Sequence, residues 1–117
     1  MKADIAEKWV NALESGKYTQ SKGRLQDQNG YCCLGVLCDL AVQENVIPAP
    51  IFEVDYYAYG ENKSNNYLPL KVKEWAGMKD TSGTYGEKGR VLAYKNDTEG
   101  LSFKEIAKII KENVDNL

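Results

Sequence analysis

A chain of 117 residues with 43% hydrophobic and 27% charged residues can build one compact domain around a single core, and it is too apolar for wholesale disorder. Its formal net charge of -2 excludes a broad electrostatic grip on DNA or on an anionic membrane, but leaves room for one small anionic ligand held by a few basic side chains. The N-terminal stretch has no secretory apolar core, the longest apolar run (Tyr31 to Cys38) is too short for a bilayer, and three cysteines is an odd count, so reduced thiols in a cytoplasm are expected.

Ile5, Trp9, Ala12 and Leu13 fall on one face of a helix over roughly Ala3 to Ser15, and Gly16 supplies a left-handed stop. The polar stretch that follows, Lys17 to Gly30, reads as a loop or a loose hairpin around Ser21-Lys22-Gly23. From Cys33 to Gln43 helical spacing returns with nearly every side apolar, which marks a central, buried helix; Pro48 and Pro50 forbid its continuation.

Ile51 to Gly60 is rich in β-branched and aromatic residues and predicts a strand, hairpinned across Glu61 to Asn66 onto Tyr67 and Leu68. Pro69 opens a short helix ended by Gly77. Met78 to Gly89 has three glycines after Asp80 and no periodicity, the pattern of a mobile loop, and Arg90 to Asp97 fits either a strand or a short helix. Ser102 and Glu105 form a capping box ahead of a helix whose apolar stripe is Phe103, Ile106, Ala107, Ile110 and Val114. The expected fold is α+β: a small single domain over residues 1–117, mainly helical, with a central buried helix and a short β-hairpin.

The three cysteines invite a chemical reading, but the chain has no histidine to generate a thiolate. Cys32, Cys33 and Cys38 also lack the spacing of a zinc knuckle, and neighbours on a helix point about 100° apart. They read as small core residues, with Gly35 allowing close approach of neighbouring elements. No catalytic residue, metal or cofactor is expected.

Function is then sought on polar loops held by rigid elements. Gly16 to Arg24 brings Lys17, Lys22 and Arg24 close to Tyr18 and Gln20 in sequence. Such cations neutralise phosphate, a tyrosine can stack on a base and an amide can read its edge. A solvated surface loop is the competing reading. Gly89 to Asp97 offers Arg90, Tyr94, Lys95, Asn96 and Asp97 as a second wall of the same pocket, or simply a turn. Tyr56, Tyr57 and Tyr59 form an aromatic cluster suited to an interface.

The blocks WVNALESGKYTQSKGRL, GYCCLGVLCDLA, YLPLKVKEWAG, LAYKND and LSFKEIAKII resemble, in this order, a family of small proteins of unknown function encoded by tailed phages and prophages. The resemblance covers Trp9 to about Ile110 and supplies no catalytic residues. Phages encode many chains of this size that blunt host defence, among them oligomeric sponges that trap signalling nucleotides of Thoeris and CBASS systems. The resemblance therefore implies a non-enzymatic binder of a small nucleotide-like phosphorylated ligand in the host cytoplasm, assembled as a homo-oligomer. The ligand residues expected are Lys17, Tyr18, Gln20, Lys22, Arg24, Arg90, Lys95 and Asn96. The other reading is a protein-binding inhibitor of a host defence enzyme, acting through the tyrosine cluster.

Overall fold

The computed structural model describes residues 1–117. Helix α1 (Ala3–Glu14) buries Ile5, Ala6, Trp9, Val10 and Leu13 against α5 (Phe103–Glu112) and α2 (Cys33–Gln43). The α1 stripe therefore matches the sequence pattern, and Gly16 and Gly77 take the left-handed φ values of 77° and 70° that helix stops need. Ser102 and Glu105 close the capping box at α5, satisfying two backbone N–H groups that would otherwise lack partners.

Helix α2 is the centre of the molecule. Cys33, Leu34, Gly35, Val36, Leu37, Cys38 and Ala41 are all buried. Trp9 can be fully buried beside it because its indole N–H donates to the Cys33 carbonyl at 2.9 Å. Gly35 marks the tightest approach: a Cβ there would sit 1.7 Å from the carbonyl oxygen of Leu25.

The α+β class holds, but there are three hairpins where one was expected. Strands β1 (Gln26–Asp27) and β2 (Gly30–Tyr31) turn at Gln28-Asn29, not around Ser21-Lys22-Gly23. Asp27 accounts for that choice, because its carboxylate accepts from the Asn29 and Gly30 backbone and from Ser21 Oγ. Strands β3 (Ile51–Glu53) and β4 (Tyr56–Ala58) pair antiparallel with Phe52 opposite Tyr57, turning at Val54-Asp55. The hairpin predicted across Glu61 to Asn66 is thus replaced by an earlier one, and that segment folds back only through a Tyr59–Ser64 bridge. The sheet order is β2-β1-β4-β3.

After α3 (Leu70–Ala76), the glycine-rich segment forms a built turn in place of the irregular loop expected. Asp80 Oδ1 accepts from the backbone of Ser82, Gly83 and Thr84, and β5 (Thr84–Tyr85) pairs with β6 (Arg90–Val91). Burial works against the Asp80 charge, yet the bonds from Thr84 and Ser82 outweigh it and hold its carboxyl below the ordinary range. The ambiguous Arg90 to Asp97 stretch is both things in turn: β6, then α4 (Leu92–Asp97).

Candidate functional site

One of the expected ligand residues belongs to the interior, and a second is half-buried against it. Asn96 has no exposed surface. Its Oδ1 accepts from Gln20 Nε2 at 2.8 Å and from the Cys33 backbone N–H at 3.2 Å. Its Nδ2 donates to the Ser21 carbonyl at 2.9 Å and to Asp97 Oδ1 at 2.8 Å. Gln20 spends its amide on Asn96 and on the Leu101 carbonyl, 2.8 Å away. A buried amide must satisfy its polar atoms, and here it does so by tying the loop after α1 to α2 and α4. Asn96 is therefore a fastener of the fold in place of the ligand contact expected, and Gln20 shares that work. The two candidate segments do meet, but through a polar knot instead of an open pocket.

The remaining residues divide. Lys95 is ion-paired with Glu99 at 2.7 Å, and Arg90 lies over the Tyr85 ring at 5.2 Å. Tyr18 turns its hydroxyl to the Asp39 carboxylate, with Gln43 completing the group, and meets the edge of Tyr31 at 5.1 Å. Burial, with the Asp39 charge beside it, raises the Tyr18 phenol above its ordinary value. Arg24 stands 4.2 Å over the Tyr56 ring and donates to Asn65 Oδ1 at 2.7 Å. Lys17 and Lys22 are exposed, and the Lys22 ammonium reaches across Gly100.

The tyrosine cluster is not an open aromatic surface. Tyr59 is 1% exposed, and Tyr56 and Tyr57 are half-buried. Exposed apolar side chains of that hairpin are instead Ile51, Phe52 and Val54.

A cleft of about 480 Å³ opens where the Gly89 to Asp97 segment faces Tyr67 and the Thr81–Ser82 turn. Tyr67, Thr81, Ser82, Tyr94, Asp97 and Thr98 line it together with the apolar Val91 and Ala93. Tyr67 and Tyr94 are each 53% exposed. The walls are fastened to one another: Leu68 N–H donates to the Thr81 carbonyl at 2.9 Å, and Leu92 and Ala93 donate to Gly83 and Ser82. The Lys22–Arg24 loop is fixed beside it, because the Gly23 N–H donates to Asp97 Oδ1 at 2.9 Å. Tyr94 and Asp97 lie in a stretch singled out from sequence, whereas Tyr67, Thr81 and Ser82 carried no local signal. A second cavity of about 460 Å³, between Pro48 and α3, is flanked by the Lys71–Glu61 pair and offers no tyrosine.

All three thiols are sealed in the core. Burial pushes the Cys32 thiol up to about 12 and holds Cys33 and Cys38 well above their ordinary value, so none is a ready nucleophile. No three Cys, Asp or Glu side chains converge as metal ligands would, and no helix is long and apolar enough to cross a membrane.

Residues 1–114 match a domain family of unknown function, DUF8296. No curated protein and no solved structure matches the chain.

Proposed function

We propose that this chain, which belongs to the DUF8296 family of unknown function, is a non-enzymatic binder that sequesters a small nucleotide-type phosphorylated ligand. In the full form of the proposal it is a phage-encoded sponge in the host cytoplasm, assembled from several copies, for a cyclic nucleotide or cyclic ADP-ribose-like immune signal.

One observation carries the reading: two half-exposed tyrosines share a cleft with three hydroxyl side chains, one carboxylate and the apolar Val91 and Ala93, and a basic loop is tied to Asp97 beside it. Tyrosine faces hold a nucleobase by stacking, worth about 1–3 kcal/mol per base. Thr81, Ser82 and Thr98 offer hydroxyls to a sugar, and Lys22 and Arg24 offer charge to a phosphate. A binder is favoured over an enzyme because the thiols are enclosed, histidine is absent and Lys95 is engaged by Glu99. The phage setting rests on the sequence blocks of the first subsection.

The test is thermal shift of the purified protein with cyclic dinucleotides, cyclic trinucleotides and cyclic ADP-ribose isomers, followed by heat denaturation and mass spectrometry of what is released. Stabilisation with recovery of intact ligand supports sequestration, and recovery of a converted product makes the chain an enzyme. No shift with any of them, combined with co-purification of one host protein, favours the inhibitor reading. The exposed Ile51, Phe52 and Val54 would then be the contact surface.

A further inference from the structure

The Asp97 carboxylate is half used. Its Oδ1 accepts from the Gly23 N–H and from Asn96 Nδ2, while Oδ2 takes no hydrogen bond or ion pair from the chain. No buried polar side-chain atom lacks a partner, so Oδ2 is open to solvent, and Asp97 is part of the cleft lining. The carboxylate is also held still: two bonds fix one oxygen, and one of their donors, Asn96, is anchored by the knot to Gln20, Ser21 and Cys33.

An ionised carboxylate oxygen only accepts hydrogen bonds, so this position repels a phosphate and calls for a donor on the ligand. Position within the cleft decides which donor. Asp97 shares the lining with Tyr67 and Tyr94, and the Gly23 bonded to it lies between Lys22 and Arg24 in the chain. Asp97 thus belongs both to the tyrosine-lined cleft and to the anchor of the basic loop, as a sugar joins base to phosphate.

We infer that Asp97 Oδ2 is the acceptor for a ribose hydroxyl and makes the cleft selective for ribonucleotides over deoxyribonucleotides. The inference rests on the nucleotide reading above and adds the specificity residue to it. An acidic side chain meets the ribose 2′-hydroxyl in the same chemical way in dinucleotide-binding folds. A site built around such an acceptor rejects the analogue lacking the hydroxyl, because the fixed carboxylate is left without its donor.

The experiment is isothermal titration with ADP, 2′-deoxy-ADP and 3′-deoxy-ADP, and with cyclic di-AMP and its 2′-deoxy counterpart. Removing the recognised hydroxyl is expected to weaken binding roughly ten- to a hundred-fold. In Asp97→Asn the side-chain oxygen can still accept from Gly23 and Asn96, so the melting temperature should hold while the ribo-over-deoxy ratio collapses to a few-fold. Equal affinity for ribo and deoxy ligands overturns the inference and leaves the nucleotide reading standing. No binding of any ribo ligand overturns both. If Asp97→Asn unfolds, the wild-type ratio decides alone.

Discussion

Replacing Gly35 by Ala sets two known effects against each other. Gly35 lies inside α2 with ordinary helical φ, so helix propensity alone favours alanine by about 1 kcal/mol. The new methyl, however, would meet the Leu25 carbonyl oxygen at 1.7 Å and its carbon at 2.6 Å. Both atoms are backbone and cannot rotate away. Leu25 has to withdraw by more than 1 Å, yet its carbonyl accepts from Cys32 at 3.2 Å, its N–H donates to Asn65 at 2.6 Å, and its side chain is fully buried. Disrupting a buried leucine costs about 2–5 kcal/mol, and a buried backbone group left unpaired costs about 1–3 kcal/mol more. Even after the propensity gain, a net loss of about 2 kcal/mol or more is expected, out of the 5–15 kcal/mol typical of a domain. For a chain of this size that lowers the melting temperature by at least roughly 8 °C, at roughly 4 °C per kcal/mol. Urea titration followed by circular dichroism measures it. A Gly35→Ala protein as stable as wild type, or more so, would refute the close approach of α2 to Leu25.

Asn96→Ala leaves Gln20, Ser21 and Cys33 without their buried partner and should cost at least about 3 kcal/mol; Gln20→Ala should cost less, because Asn96 keeps its bond from Cys33. The two urea midpoints give the order, and a harmless Asn96→Ala would return that residue to the surface. Cys33→Ser should be less stable than Cys33→Ala, since the shorter hydroxyl arm cannot close the 3.8 Å from Sγ to the Leu92 carbonyl and is buried without a bond, at a cost of about 1–3 kcal/mol. Stability should also fall at alkaline pH. Burial raises the three thiols above their ordinary 9.0 and Tyr18, Tyr31 and Tyr59 above their ordinary 10.0, so the unfolded chain loses those protons first. Stability from these groups is complete below the unfolded values and declines as pH rises beyond them, by up to about 1.4 kcal/mol per pH unit for each group. Urea midpoints measured from neutral to alkaline pH should decline, Cys38→Ala should soften the decline, and a flat profile would mean that the thiols are exposed.

What was legible in the chain was local. The α1 stripe, the Ser102–Glu105 box and the all-round apolar face of α2 each follow from residues a few positions apart, and each stands as expected. The hairpin turns went differently because a side chain elsewhere settled them: Asp27 gathers Ser21, Asn29 and Gly30 and fixes the turn after β1. The segments Gly16 to Arg24 and Gly89 to Asp97 touch through Gln20–Asn96 and Gly23–Asp97 bonds, and Asn96, which its stretch offers as a ligand contact, lies buried. Its burial depends on Gln20 and Ser21, some 75 positions away, and a partner at that distance leaves no trace in local spacing. The cleft has the same origin. Tyr67 and Ser82 carry no signal in their own stretches and come to share a cleft with Tyr94 only through the bonds that join Leu68 to Thr81 and Ala93 to Ser82.

The central claim is that a nucleotide-type ligand enters the cleft between Tyr67 and Tyr94. The most direct measurement is an amide NMR titration of the whole protein with cyclic di-AMP, cyclic ADP-ribose and ADP in turn. Saturable shifts are expected at Lys22, Gly23, Tyr67, Ser82, Tyr94, Asp97 and Thr98, with Ile51 to Tyr57 unchanged. Shifts centred instead on the β3–β4 hairpin, or none with any of the three, would contradict the account.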